Sequence, residues 1–570
     1  MQTCRLPAVN VNIVENIKKS LLTITAQAAE NAKVAGELYF EKLPDFVLEV
    51  PRERSHGDFA VNLAMLLAKE AKKNPRLVAQ ILVDKIDTSI TPVIKIEIAG
   101  PGFINFHLDK TWIYKTMPVI ASMGDEYGKT NIGKGKKVQV EFVSANPTGL
   151  LHMGNARGAA LGDSIASLLT MAGFDVKREF YINDSGNQIV NFAKSLEARY
   201  FQALGKDVEM PEDGYQGEDI KDTIKGFIDK YSDSYLDVSE TERRAFMAEY
   251  ALQEKLIGIK KALLGFGVKY DHWYSEKSLH ESGKVTAVIE ELQEKGYIYE
   301  NEGALWFKST LFGDEKDEVV VRKNGIPTYF ASDIAYHKDK FERGFEWVIN
   351  IWGADHHGHV SRMKGAMSAI GHDPDALKII LMQLVRLFKD GDILRMSKRT
   401  GQFVTLNELV EEVGRDAARY FFVMRSADSH LEFDLDLAKS QSQDNPVFYV
   451  QYAHARISSI LRQCDEMGYS IPDFAEVNFN RLNTEEEFDF IRKMADFPGE
   501  VAEAAISLEP HRMTRFAHEL AGLFHAFYAK CRVLTEDDEL RDARIALIAA
   551  GRQVLKNILA IIGVSAPEKM

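Results

Sequence analysis

Apolar positions recur at helical spacing from residue 13 to about 38 (Ile13, Ile17, Leu21, Ile24), and the helical pattern resumes over residues 61–67, after His56-Gly57-Asp58. Short strand-like runs, FVLEV, VIKIEI and FINFHL, lie between and after these helices. The last two flank Ala99-Gly100-Pro101-Gly102, a glycine-proline break that favours a turn between strands. A different rhythm follows. The strand KVQVEFV (137–143) runs into SANPTGLLHMGN, a helix is expected from about residue 154 to 172 with Gly173 as its stop, and DVKREFYI reads as a second strand. Strand, helix and strand in that order predict a βαβ unit with a parallel sheet, whose ligands gather at the carboxyl ends of the strands. Residues 191–265 read as a helical, acidic insertion, after which strands recur near Val268, at EWVINIW (346–352) and at KIILM (378–382). From residue 406 to 570 the pattern is almost wholly helical. The predicted fold class is α/β: a Rossmann-like parallel-sheet catalytic domain (116–405) between an N-terminal α+β domain (1–115) and a C-terminal all-α helical-bundle domain (406–570).

Composition narrows the class without choosing a function. A chain of 570 residues exceeds one hydrophobic core and implies several domains. No apolar run approaches the roughly 20 residues of a membrane span, and MQTCRLPAVN lacks the basic and then apolar order of a signal sequence. The expectation is a soluble cytoplasmic chain with no membrane partner. Cys4, Cys464 and Cys531 have no paired spacing, which argues against a zinc site or a disulfide framework. The formal charge of -14 argues against general affinity for nucleic acid but leaves room for a local basic surface.

The turn at residues 144–164 is suited to a nucleotide. A helix starting near Gly154 offers unpaired N–H groups and the positive end of its dipole, and Gly149 and Gly154 would let phosphate approach the backbone. His152 and Asn155 add side-chain donors, and Gly158 and Gly162, four apart, suggest close packing of helix on sheet. By itself HMGN is equally an ordinary helix entry. In FKDGDILRMSKRTG (388–401), Asp390-Gly391 signals a hairpin, and Arg395, Lys398 and Arg399 place three cations on a loop between glycines. Such a loop suits a triphosphate whose charge must be neutralised, or is simply a solvated basic turn. Asp355-His356-His357-Gly358-His359 invites a metal reading, but adjacent histidines on a strand would face opposite ways and no second ligand group is evident, so no protein-bound metal is expected. Tyr449, Tyr452 and Arg456 share one helix face, combining stacking surfaces with a cation as single-stranded RNA recognition favours; two core tyrosines and a solvated arginine would give the same spacing.

HMGN and RMSKR resemble the paired HIGH and KMSKS signatures of class I aminoacyl-tRNA synthetases. SANPTGLLHMGNARG, REFYINDSGNQ, GADHHGH, QYAHARI and the ending GVSAPEKM, with GDFAVNLA and GPGFINF nearer the N-terminus, together resemble the bacterial arginyl-tRNA synthetases over essentially the whole chain. Asn155 stands where the family signature usually has its second histidine. Arg395 and Arg399 replace the first lysine and the final serine of the second signature, while its phosphate-stabilising lysine is kept as Lys398. Family members without that lysine carry a substitute before the first signature, where this chain has Gly149.

The resemblance implies an arginine-tRNA ligase that uses ATP with magnesium, L-arginine and tRNA(Arg), joins arginine to the terminal ribose at its 2′-OH, and acts as a monomer. It implies catalytic roles for His152, Asn155 and Lys398, and an ATP site formed by Gly149, His152, Gly154, Asn155, Asp355, His356, Met396, Ser397 and Lys398. Arginine would be held by Glu141, Asn146, His152, Tyr329, Asp333 and His357, with the acids meeting the guanidinium fork. Phe103 and Asn105 would contact the tRNA elbow, and Tyr449, Tyr452, Arg456 and Met570 the anticodon region. Two alternatives remain at this level: an RNA-free nucleotidyltransferase with an HxGH-like motif, and a non-catalytic RNA-binding paralogue.

Overall fold

The computed structural model describes residues 12–51, 53–215, 217–394 and 404–570. The N-terminal helix Ile13–Val34 starts where the Asn12 side chain accepts from the Glu15 amide at 3.0 Å, and it buries Leu21, Ile24 and Ala28. Val93–Ala99 and Phe103–Leu108 pair antiparallel across the glycine-proline turn, as expected. The helix expected over 61–67 differs at its start. Phe59–Val61 is a strand paired with Phe103–Leu108, and the helix is Leu63–Ala68. Phe59, Ala60 and Val61 are all buried, so this continuous apolar run belongs to a covered strand and not to a helix face.

The middle of the chain is built on a five-stranded parallel sheet. Its spatial order is Leu377–Met382, Trp347–Gly353, Lys137–Glu141, Asp175–Ile182, His272–Ser275. The chain enters at the central strand, builds one side and then returns to build the other. The order therefore reverses between Lys137–Glu141 and Trp347–Gly353, and the crevice beyond their carboxyl ends is where such a sheet binds ligands. The helix Met153–Met171 crosses over from the central strand, and its closeness to the sheet depends on Gly162: a Cβ there would lie 2.1 Å from the Phe142 ring. Gly158 was expected to do the same, but a Cβ there would meet Met382 at an ordinary 3.7 Å.

The acidic insertion comprises Asn187–Ala203, Glu218–Tyr231 and Glu240–Gly265, with a small core of its own around Phe192, Leu196, Tyr200, Phe227 and Met247. Its last helix reaches back into the main core through Ile259 and Leu263. Past residue 406 the expectation of an almost wholly helical region needs a correction. Leu431–Asp434 is a strand that pairs in parallel with Val385–Lys389, itself hairpinned to Asp392–Leu394 through the predicted Asp390-Gly391 turn. Leu431 and Phe433 are buried while Glu432 and Asp434 are exposed, an alternation too short to stand out among helices. Four long helices follow: Pro446–Glu466, Glu485–Ser507, His511–Lys530 and Asp538–Ile561. The N-terminal region is tied to this bundle by Arg492 on Asp58 at 2.8 Å and by Asn557, which donates to the carbonyls of Gly124 and Tyr127 at 2.9 Å. Cys464 and Cys531 are buried and unpaired, and Cys4 lies outside the described residues. Among the described residues no helix is long and apolar enough to cross a membrane.

Candidate active site

The central strand ends at Glu141, which is buried. Beyond it the backbone turns sharply through Val143 and Ser144, at φ 70° and 41°, a conformation costly for a β-branched residue and of the kind concentrated at functional sites. The turn brings Ser144 Oγ to Glu141 Oε1 at 2.8 Å, and the Tyr181 amide donates to the same hydroxyl at 3.2 Å. The other Glu141 oxygen accepts from Lys340, a fully buried ammonium that also donates to Asn350 Oδ1 at 2.9 Å. Glu141 was expected to supply free negative charge to a guanidinium. Its charge is instead matched from within the protein, as a buried carboxylate requires.

At the first signature, His152 is the N-cap of Met153–Met171: its Nδ1 accepts from the Gly154 amide at 3.1 Å, and Asn155 Oδ1 accepts from the His152 amide at 3.0 Å. The pair forms a capping box in which a histidine and an asparagine take the usual Ser and Glu places. With Nδ1 accepting, a neutral ring carries its proton on Nε2, as a hydrogen-bond donor. Asn155 closes the box through its oxygen and keeps two N–H donors. The space at Gly149 is open, since a Cβ there would meet nothing within 4 Å.

Residues 395–403 lie outside the described residues, and with them Arg395, Met396, Ser397, Lys398 and Arg399. Their flank is informative. Thr405 forms an antiparallel bridge with His152, and the Leu406 amide donates to the Leu151 carbonyl at 2.8 Å. The segment leaving the second signature is thus stitched to the first.

A second group lies along the same crevice. Asp333, on helix Tyr329–Glu342, accepts from His359 at 3.0 Å. Glu276, only 3% exposed and just beyond strand His272–Ser275, has its carboxyl pushed up to about 7, first by burial and then by the charges of Asp333 and Asp184. Tyr329 and Glu276 share a cleft of about 200 Å³ with Gly186, His280, Arg322 and Ser332. Gly186, at φ +81°, leaves room for the Tyr329 hydroxyl, which would lie 3.0 Å from a Cβ there. Glu276 escaped notice in the sequence; its one signal was a position just past a strand of the parallel sheet. A larger cavity of about 650 Å³ opens between Gly149–Leu151, the insertion and Thr405–Asn407. It adjoins the first signature, and its lining shares no residue with the smaller cleft.

Asn146 is exposed and donates to Gln188 Oε1 at 2.6 Å, tethering the turn to the insertion. Asp355, His356 and His357 are exposed where strand Trp347–Gly353 ends. They occupy a 3-10 turn (Ala354–His356) and the start of helix His357–Ala369, not a strand, so the opposite-faces reasoning does not apply to them. Among the described residues no group of three His, Cys, Asp or Glu could hold a metal.

Three family models match the chain in order: the arginyl tRNA synthetase N-terminal domain over residues 12–108, the catalytic domain of class I (R) tRNA synthetases over 117–433, and the DALR anticodon binding domain over 450–570. A protein of Moorella thermoacetica named arginine–tRNA ligase is 61% identical over 560 residues, covering 98% of this chain and all of that one. One of the same name from Desulforamulus reducens is 61% identical over 558 residues with the same coverage. The chain belongs to the arginyl-tRNA synthetases. A Thermus thermophilus arginyl-tRNA synthetase structure shares the fold at a TM-score of 0.73 and 23% identity, covering 97% of this chain and all of that one. The RNA-free alternative falls with these matches, because they extend through the anticodon-binding domain.

In the C-terminal bundle, Tyr449 packs against His518 and His525, at 4.6 and 5.0 Å between ring centres, and the exposed Tyr452 ring lies 6.1 Å from His525. The Arg456 guanidinium sits 5.1 Å over the Tyr528 ring. These three therefore do share one face of Pro446–Glu466. Met570 is exposed at the end of the tail. The C-terminal segment is held by Gln451, His454 and Arg462, which donate to or share hydrogen bonds with the carbonyls of Ser565, Pro567 and Glu568. Helical spacing puts those three on the face turned away from the tyrosines. In the N-terminal domain Phe103 is half-buried, while Asn105 is only 3% exposed in the middle strand of its sheet and is covered against a ligand.

Proposed function

We propose that the crevice divides into an arginine end and a nucleotide end, and that the stitching of Thr405 and Leu406 to Leu151 and His152 is what makes them one catalytic unit. The arginine guanidinium enters the cleft lined by Glu276 and Tyr329, with the charge of Asp333 acting on Glu276 from beside it, so that planar donors meet neighbouring carboxylates. Lys340-paired Glu141 shapes the floor, and Asn146 and His357 lie at the rim toward the amino and carboxylate groups. ATP, as its magnesium complex, lies over Gly149, Gly154 and the start of Met153–Met171, with Asp355 and His356 beside it.

The reaction is ATP-dependent ligation of arginine to tRNA(Arg). A carboxylate oxygen of arginine attacks the α-phosphorus, the bond to the β-phosphate oxygen breaks, and pyrophosphate leaves. His152 Nε2, the Asn155 amide, the helix end and Lys398 meet the growing negative charge. A hydroxyl of the terminal tRNA ribose then attacks the carbonyl carbon of arginyl-adenylate and AMP departs. Positioning and charge stabilisation suffice, and no protein nucleophile is used. Tyr452 and Arg456 read the anticodon loop, Phe103 approaches the tRNA elbow, and the protein acts as a cytoplasmic monomer.

The test is pyrophosphate exchange into ATP with each amino acid in turn, with and without bulk tRNA. Exchange specific to arginine is the expected result, and exchange that is equal for several amino acids would overturn it. In the same assay Lys398→Ala should lower turnover by about 10²-fold or more while leaving arginine affinity nearly intact.

A further inference from the structure

The proposed reaction uses no side chain from residues 183–187, the exit of strand Asp175–Ile182, although they lie within REFYINDSGNQ. That strand runs parallel to His272–Ser275, and the last rung of the ladder pairs Ile182 with Ser275. There the backbone turns, with the Asp184 amide donating to the Ile182 carbonyl at 3.0 Å. Backbone pairing ends and a carboxylate takes over. Asp184 Oδ2 accepts from Ser275 Oγ at 2.6 Å, and its Oδ1 accepts from the Lys277 amide at 2.9 Å. Glu276 is the residue between them. The two ties cross 91 and 93 residues of chain, so this is no local turn motif: both oxygens of Asp184 fix the backbone on either side of Glu276 to the neighbouring strand.

The Glu276 side chain is held from the same stretch. In the amide orientation that its neighbours require, Asn183 donates to Glu276 Oε2 at 2.9 Å and to the Ser185 carbonyl at 3.2 Å. The Tyr181 hydroxyl, two residues earlier, also hydrogen-bonds the Glu276 carboxyl. Ser275 in turn caps the helix Glu276–Glu281, accepting from the Ser278 amide at 3.3 Å. Beyond Asp184 the loop becomes a wall of the cleft, where Ser185, Gly186 and Asn187 line it. A glutamate has three rotatable bonds, and a bidentate contact with a guanidinium demands one setting of them. Fixing that setting before the ligand arrives lowers the ordering cost of binding.

We infer that Asp184, seconded by Asn183, is a positioning residue that presets the Glu276 carboxyl for a guanidinium and thereby sets the affinity of the cleft for arginine. The inference rests on the assignment of that cleft to arginine, and the experiment separates the two.

Arginine dissociation constants are measured by calorimetry at pH 8, together with the Michaelis constant for ATP and the thermal melt of each variant. Asp184→Ala should weaken arginine binding about 10-fold, with the Michaelis constant for ATP within about 2-fold. Asp184→Asn keeps an acceptor for the Lys277 amide and should stay within about 3-fold of the parent protein. Added to Glu276→Ala, Asp184→Ala should weaken binding by less than about 2-fold more, because no carboxyl is left to position. If Asp184→Ala does not fold, Ser275→Ala cuts the same tie from the other side and decides. Unchanged affinity in Asp184→Ala, an Asp184→Asn as weak as Asp184→Ala, or an undiminished effect in the double variant overturns the positioning role. Unchanged affinity in Glu276→Ala would instead remove the cleft from arginine recognition.

Discussion

Two acid-bearing regions at the carboxyl end of one sheet treat charge in opposite ways. Glu141 is buried and answered from within by Lys340, itself fully buried and shared with Asn350, the residue beside Glu141 in the sheet register. Glu276 and Asp333 lie along the same crevice, but their partners are imidazole and hydroxyl groups: His359 for Asp333, and Tyr181 and the more distant His280 for Glu276. Burial and then the like charges of Asp333 and Asp184 raise the Glu276 carboxyl, with Arg322 lining the same cleft. Glu141 has its cation in direct contact, whereas among the described residues the ion-pair partners of Glu276 and Asp333 are histidines, and under the proposed function these two acids are the ones that meet a cationic ligand.

The largest effect that would break this comparison is on stability. Lys340→Met strands the Glu141 charge in the interior and should cost about 3–5 kcal/mol in denaturant unfolding. A loss below about 1 kcal/mol would mean that Glu141 does not depend on its lysine. Next, Asp333→Ala should weaken arginine binding by about 2–3 kcal/mol in calorimetry with little change in melting temperature. Normal affinity would take Asp333 out of the cleft's chemistry.

The third effect is on pH. Glu276 ionises near 7 in the free folded chain and near its ordinary 4.5 when unfolded. Between these values the folded state holds the extra proton, so this group's contribution to stability falls as pH rises from 4.5 to about 7. A bound guanidinium favours the ionised form, so arginine affinity should rise with pH up to about 7 and then level. Glu276→Gln should flatten that profile and weaken binding about 10-fold at pH 8. A wild-type dissociation constant that is flat from pH 6 to 8 would sever Glu276 from arginine. The smallest effect belongs to the nucleotide end. Asn155→His should change the Michaelis constant for ATP by less than about 2-fold, because that position supplies hydrogen bonds and a helix cap, not charge.

Local features of the site were legible in the chain. HMGN lies one strand exit and one helix start from Glu141, so the helix start was readable from short-range spacing, while the capping box of His152 and Asn155 emerged only in the structure. Close packing of the crossover helix was readable from the Gly158 and Gly162 pair, though only Gly162 needs it, and Tyr329 and Asp333 were indicated by the family resemblance and not by spacing. Glu276 was hidden because SEKSLHE looks like the exposed start of an ordinary helix, and only the sheet places it at the head of the crevice. The tyrosine face of Pro446–Glu466 was visible in its spacing. That Ser565, Pro567 and Glu568 are held by Gln451, His454 and Arg462 was not, because it depends on where the last helix delivers the tail.

By itself the sequence determined the parallel α/β pattern, the phosphate-ready helix entry and the largely helical C-terminal region, since each is carried by residues within a turn or a strand of one another, while the two signatures were paired through the family resemblance. Only the tertiary structure decided which charges are consumed and which are left open. Lys340 reaches Glu141 across 199 residues of chain and Arg419 reaches Asp163 across 256. Whether a buried acid is a structural anchor or a binding group depends on the cation the fold brings beside it, and no local pattern encodes that meeting.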